Sequence, residues 1–216
     1  MRAFYRSTIG QKVIMAVTGL LLVGFLLAHM IGNLQVFQGA EAINAYAALL
    51  HGPLGKVVWA QRVVLLAAVL LHIWAAVSLT RRKQAARPVA YARQEPQVST
   101  FASRSIRWGG VIVLAFIVFH ILHFTTLDID RSYVRGDVYG NLVKAFGDPL
   151  KVLLYVFAMG WIGLHLYHGL WSSVRTLGVS PASAHPLKRR VALALAAVIW
   201  LGFTLVPLAI FAGLVR

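Results

Sequence analysis

The chain has 216 residues, of which 59% are apolar and only 12% charged. An ordinary globular domain carries about 25% charged residues, so a soluble fold is excluded and the surplus apolar surface calls for lipid. The formal net charge is +15, from 21 Lys and Arg against 6 Asp and Glu; in so apolar a chain these cations read as topology signals and lipid-headgroup contacts, not as a nucleic-acid surface.

In chain order, a short basic stretch with Arg2, Arg6 and Lys12 leads into an apolar run over 12–35. Its ~23 residues exceed the 7–15 of a signal-peptide core, and no small-residue cleavage pattern follows, so it is expected to be a retained first span. Residues 39–50 (GAEAINAYAALL) keep helical spacing as far as His51-Gly52-Pro53 and predict a short helix lying at the outer interface. A second span is expected over 56–80. The link over 81–107 is polar and basic, holds Pro88 and Pro96, and reads as a loop. A third span is expected over 107–127. Residues 142–146, ended by Gly147-Asp148-Pro149, predict another short interfacial helix. The fourth and fifth spans fall over 150–173 and 191–215; the fifth contains Pro207 and no histidine. Each run has the roughly 20 residues a helix needs to cross a bilayer. Each is also continuous where a strand would alternate. The expected fold is one all-α membrane domain of five transmembrane helices over residues 1–216.

The links differ in charge. Fourteen cations lie in the N-terminal stretch and the links over 81–107 and 175–190. The other two links hold six cations and five of the six acids. Cytoplasmic loops collect Lys and Arg, so the N-terminus is expected in the cytoplasm and, after five spans, the C-terminus outside.

Cysteine is absent, which removes disulfides, thiolate metal sites, cysteine-ligated clusters and a cysteine nucleophile from this chain. Eight histidines remain. His51 and His185 fall in links, whereas His29, His72, His120, His123, His165 and His168 fall inside predicted spans. An ionisable residue in the hydrocarbon is costly and marks function by default. With ~1.5 Å of rise per residue, His29 lies ~25 Å and His120 ~20 Å from the cytoplasmic starts of their spans, while His72 and His165 lie ~13 Å and ~15 Å deep. The result is two layers of two imidazoles, the arrangement that a bis-histidine haem requires in a bundle core.

An internal repeat supports this pairing. Gly19 precedes His29 by ten residues, as Gly110 precedes His120. Leu71-His72-Ile73-Trp74 matches Leu164-His165-Leu166-Tyr167, with Ser78 and Ser172 following. Small residues at 19 and 110 would let a flat porphyrin or a neighbouring helix come close. Helices 1–4 are therefore expected to form a dihaem four-helix bundle. His123 and His168 lack counterparts in the first hairpin and are expected to bond to propionate, carbonyl or water. A zinc site is weaker, because catalytic zinc usually adds a carboxylate and no acid lies within the spans. Ion-coupled transport suffers from the same lack.

The chain resembles the cytochrome b membrane-anchor subunit of bacterial succinate dehydrogenase and fumarate reductase, in its five-helix, two-haem branch. The resemblance covers almost the whole chain. It is carried by Thr18-Gly19 ahead of Gly24-x4-His29, by Gly39-Ala-Glu41-Ala-Ile-Asn44-Ala-Tyr46, and by His165-x3-Gly169-Leu170-Trp171. Gly109-Gly110 departs from it, since a Thr-Gly pair is often found there. By position, the resemblance implies two haem b groups, the distal one ligated by His29 and His120 and the proximal one by His72 and His165. It implies docking of a flavoprotein and an iron–sulfur subunit on the cytoplasmic face of a bacterial inner membrane. It also implies electron exchange with a membrane quinone, menaquinone by expectation, and allows a higher oligomer of the whole complex. FAD and the clusters would sit in those partners, because this chain has no GxGxxG fingerprint and no cysteine.

Candidate quinone contacts are Glu41, Asn44, Tyr46 and His51 at the outer end, and Ser7, Gln11 and Lys12 at the cytoplasmic entrance. Arg81, Arg82, Arg104 and Arg107 would meet haem propionates, partner subunits or anionic lipid. Two other readings stay open: a dihaem cytochrome b serving a different respiratory oxidoreductase, and a non-haem transporter or scaffold.

Overall fold

A computed structural model describes residues 2–86, 100–178 and 185–216. Among the described residues the elements are helical throughout: α1 (Arg2–Arg6), α2 (Thr8–Leu34), a 3-10 turn (Gln35–Gln38), α3 (Ala40–His51), α4 (Gly55–Ala85), α5 (Phe101–His120), a π-helical turn (Ile121–Thr125), α6 (Val138–Phe146), α7 (Pro149–Thr176) and α8 (His185–Phe211). Five are long and apolar enough to cross a membrane: α2 with its 3-10 extension, α4, α5 with its π turn, α7 and α8. The chain is a multi-pass, all-helical membrane protein by these features. In lipid every backbone N–H and C=O must be satisfied within the protein, and helices do this locally.

Four of the helices, α2, α5, α6 and α7, start where a side chain caps them. Ser7 Oγ accepts from the Gly10 amide at 2.9 Å ahead of α2, and Thr100 accepts from Ser103 ahead of α5. Asp137 caps α6, and Asp148, followed by Pro149 at the first position, caps α7. All five spanning helices begin before their predicted spans. The 31 residues of α4 make ~46 Å of helix, against a hydrocarbon core of about 30 Å. Hydropathy marks only the part in hydrocarbon, and the basic ends continue the same backbone ladder beyond it. Hence α5 begins at Phe101 and α8 at His185, so that His185 opens a helix and does not lie in a link. Most of the expected loop over 81–107, including Pro88 and Pro96, lies outside the described residues.

The packing order places the bundle. α2 packs on α4 and α5 on α7, as two hairpins; α2 and α7 join them, and α8 lies against α7 and α2. Going round the bundle, the order is α4, α2, α7, α5, and among the described residues α4 and α5 are not packed along their length. The diagonal pairs α2/α5 and α4/α7 are likewise not close-packed.

α7 and α8 supply the core of one half, where Ala158, Ile162, Leu166, Ala192, Ala196 and Ile199 interdigitate with Met30 of α2. Gly202 permits a close approach of α8 to α2, since a Cβ there would run into the Met30 thioether. In contrast, α4 buries only Ala68 and Ala75 and exposes Val63, Leu66 and Leu70, a surface suited to lipid.

One end of the bundle is closed by α3 and α6. Asn44 ties them: its Nδ2 donates to Asp137 Oδ1 at 3.1 Å, and its Oδ1 accepts from the Tyr139 amide at 3.0 Å. Under this cap, Val36, Ile43, Leu142, Phe146, Tyr155 and Ile210 form a second core. The opposite, basic end is held by buried Gln11, whose Oε1 accepts from Ser78 Oγ at 3.1 Å and whose Nε2 donates to the Tyr5 carbonyl.

Candidate functional site

Four of the intramembrane histidines meet in pairs across the two bundle diagonals. His29 of α2 and His120 of α5 have ring centroids 5.8 Å apart at an interplanar angle of 78°. His72 of α4 and His165 of α7 are 6.2 Å apart at 55°. The helices carrying each pair are not in close backbone contact, so the imidazoles themselves span the gap.

The His29/His120 pair lies toward the capped end in an aromatic box. Phe25 stacks on His29 at 5.4 Å and Phe116 on His120 at 5.8 Å. Each phenylalanine sits four residues before its histidine, one turn below on the same helix face. This Phe-x3-His repeat in α2 and α5 is a sequence signal that the histidine spacing alone did not use. Phe203 of α8 closes the box on the His29 side, at 5.7 Å.

His72 is oriented by α2. Its Nδ1 is 3.1 Å from the Met15 carbonyl and 3.2 Å from Thr18 Oγ1. A carbonyl only accepts, and Thr18 donates its own proton to the Ile14 carbonyl at 2.7 Å. Nδ1 therefore carries the hydrogen, and Nε2 keeps a free lone pair.

Gly19 makes room for this ring, since a Cβ there would be 3.3 Å from His72 Cε1. Gly110 faces His165 in the same way but less tightly, since a Cβ there would be 3.8 Å from His165 Cε1, an ordinary contact. The two glycines, paired in sequence with His29 and His120, thus lie beside the rings of the opposite layer. A bulky side chain at 19 is expected to displace His72. Gly19→Leu should lose the ligand bound at the His72/His165 level and keep the one at the other level, as read by cofactor content per chain.

His165 differs from its counterpart: among the described residues its buried Nδ1 has no hydrogen-bond partner. The cause is the departure noted above. Gly109 stands where the first hairpin has Thr18, so no hydroxyl reaches His165. A Cβ at 109 would come 3.1 Å from Trp161 Cε3, so the indole occupies that space.

His123 is fully buried and has both nitrogens engaged, Nδ1 with Tyr155 Oη at 2.9 Å and Nε2 with Tyr133 Oη at 2.8 Å. It has no lone pair left for a metal, and two tyrosines take the place of the expected propionate, carbonyl or water. Tyr155 is also 3.3 Å from His120 Nδ1. Burial, with the charges of Asp130 and Asp148 behind it, pushes the Tyr133 phenol up to about 12, so it stays a neutral hydroxyl. No sequence spacing pointed to Tyr133, because it comes from a loop. His168 is half-buried, and among the described residues no side-chain hydrogen bond to it is formed.

The geometry can be tested against a bis-imidazole metal centre. Two metal–nitrogen bonds of about 2 Å each, plus the two ring radii, require centroids about 6 Å apart, and both pairs meet this. Among the described residues the histidines do not gather in threes with other ligands; they face each other in twos. The uncharged aromatic box around His29 and His120 and helix diagonals bridged by imidazoles suit a flat apolar macrocycle with two axial imidazoles. The residues present fit haem.

Comparison with protein-family models, with curated proteins and with solved structures gave no match. The reading of the site therefore rests on its chemistry.

The candidate quinone contacts have structural duties here. Ser7 caps α2, Gln11 ties α2 to α4, Asn44 ties α3 to α6, and Tyr46 fills the space beside Gly32. His51 Nδ1 bonds the Ala47 carbonyl at 2.8 Å at the end of α3. Glu41 lies in the first turn of α3, and Lys12 is exposed in the second turn of α2. At the basic end, Arg81 and Arg82 border a groove of about 450 Å³ walled by Leu70, Ile73, Trp74 and Val77 of α4. Arg104 and Arg107 lie in the first two turns of α5.

Proposed function

We propose that this chain is the cytochrome b membrane anchor of a succinate:quinone oxidoreductase, holding two b haems between an iron–sulfur partner and membrane quinone. The observation that carries the reading is the pairing of His29 with His120 and of His72 with His165, at two levels of one bundle. The haems, when bound, supply two one-electron carriers stacked across the membrane.

The chain's own residues do the rest. His72 presents Nε2 because Met15 and Thr18 hold its Nδ1–H. Phe25, Phe116 and Phe203 keep water from the outer pair, and low polarity around a ligand set is one of the levers on its potential. The basic end, rich in Arg and Lys, would face the cytoplasm and meet the flavoprotein and iron–sulfur subunits. The cap of α3 and α6 would lie outside.

Purification of the complex from membranes tests this. Pyridine haemochromogen assay is expected to give two b haems per copy of the chain, with a flavoprotein co-purifying. Absence of haem overturns the reading in favour of a transporter or scaffold. A molybdenum or nickel–iron partner reassigns the chain to another oxidoreductase.

A further inference from the structure

We propose that Tyr155, His123 and Tyr133 form a one-way hydrogen-bond chain that orients His120 and sets the donor strength of its Nε2, an inference that rests on reading His120 as a haem ligand. Four groups are joined by three contacts: His120 Nδ1 to Tyr155 Oη at 3.3 Å, Tyr155 Oη to His123 Nδ1 at 2.9 Å, and His123 Nε2 to Tyr133 Oη at 2.8 Å. Each phenol has one proton to donate, and each neutral imidazole has one N–H and one lone pair.

With these inventories, and with the Tyr155 proton given to one of its two histidine neighbours, only two arrangements make all three bonds. In one, Tyr133 donates to His123, His123 to Tyr155 and Tyr155 to His120; His120 Nε2 then carries a hydrogen and cannot ligate. In the other, His120 Nδ1–H donates to Tyr155, Tyr155 to His123 Nδ1, and His123 Nε2–H to Tyr133. That leaves His120 Nε2 bare. Ligation at His120 and the direction of the chain therefore imply each other.

The fold builds this chain deliberately from three elements. The π turn, closed by the Thr126 amide to the Ile121 carbonyl at 2.9 Å, carries His123, three residues after His120, onto the same tyrosine of α7; such turns are frequent at functional sites. Leu127 then takes a left-handed conformation, φ 64°, and the Asp128 amide returns to the Leu122 carbonyl at 2.9 Å, reversing the backbone. The loop comes back over His123 and delivers Tyr133. Its ring stacks on Phe124 at 6.0 Å and 9° and lies 5.9 Å from Lys151 Nζ. Lys151 is itself held by Asp130 at 3.5 Å and Asp148 at 3.8 Å. Ser132 binds Asp130 through both hydroxyl and amide.

A network with every member satisfied holds its members rigidly. An acceptor on the far nitrogen of a ligating imidazole makes that imidazole a stronger donor. Among the described residues the other three intramembrane ligand candidates lack such a chain: His72 has a carbonyl and a hydroxyl, His165 Nδ1 has no partner, and His29 has only ring contacts.

The test is an optical redox titration of the intact complex carrying Tyr155→Phe, with haem content measured in parallel. Loss of the acceptor weakens donation from His120 to the oxidised iron. The expected result is two haems per chain, with one midpoint potential shifted upward and the other unchanged. Tyr133→Phe, which removes one hydroxyl from a loop and spares the bundle, should give a smaller shift of the same potential and sign. His123→Gln, which can accept from Tyr155 and donate to Tyr133, should keep the wild-type value, whereas His123→Phe should not. Two haems with unmoved potentials in Tyr155→Phe, or an equal shift of both, overturns this inference alone. Absence of haem from the wild-type complex overturns it together with the proposed function.

Discussion

Alanine at His72 or His165 is expected to remove one haem from the complex and leave the other, and alanine at His29 or His120 to remove the second while leaving the first. Each pair lies on its own diagonal of the bundle, α4/α7 or α2/α5, and the two pairs share no hydrogen-bonded partner. Sites without shared partners respond independently, so each single variant should fall from two haems per chain to one. The spectrum that remains should identify the level lost, giving the same residual species for His72→Ala and His165→Ala and a different one for the other pair. Haemochromogen assay with low-temperature difference spectra measures both. Four variants that all retained two haems would remove the paired imidazoles from consideration as ligands.

His123→Phe should behave in the opposite way, keeping two haems while lowering stability by about 2–4 kcal/mol. The substitution strands the Tyr133 hydroxyl and takes one partner from Tyr155, both inside the core beneath α6. An unsatisfied buried polar group costs about 1–3 kcal/mol. The loss should appear as faster thermal inactivation of the detergent-solubilised complex at a fixed temperature, because unfolding of such an assembly is measured as a rate. Loss of a haem in this variant would instead make His123 a ligand, against the engagement of both its nitrogens. The contrast between His120 and His123, three residues apart, is the sharpest check on the assignment.

The contrast also marks where spacing stops being informative. His120 and His123 are both apolar-flanked imidazoles on one helix face, and depth separates them by about one turn. Their fates diverge because the backbone changes from α to π after His120 and because a tyrosine returns from a loop. Neither is encoded by periodicity, which describes a straight helix. The glycines teach the same lesson. Gly19 and Gly110 were recognisable as places for close approach, yet their sequence distance to His29 and His120 says nothing about which ring fills the space. The approach depends on how α4 and α7 cross their neighbours, and there the rings of His72 and His165 occupy it. The Gly109-Gly110 pair was visible as a departure from the resemblance. Its consequence, a His165 Nδ1 without a partner among the described residues, required knowing that Thr18 serves His72.

What the amino-acid sequence determined by itself is the set of five apolar helices, the two short helices of the cap, the uneven distribution of cations and the depths of the four paired histidines. These follow from local rules: lipid obliges the backbone to bond within each span, and the rise per residue converts position into depth. The tertiary structure alone decided the centroid separations, the choice of free nitrogen on His72, the chain from His120 to Tyr133 and the imidazole-bridged diagonals of the bundle. Those depend on rotamers and helix crossings, which are set by contacts between residues far apart in the chain. A nitrogen's hydrogen goes where an acceptor lies, and only the packed bundle brings the acceptor there.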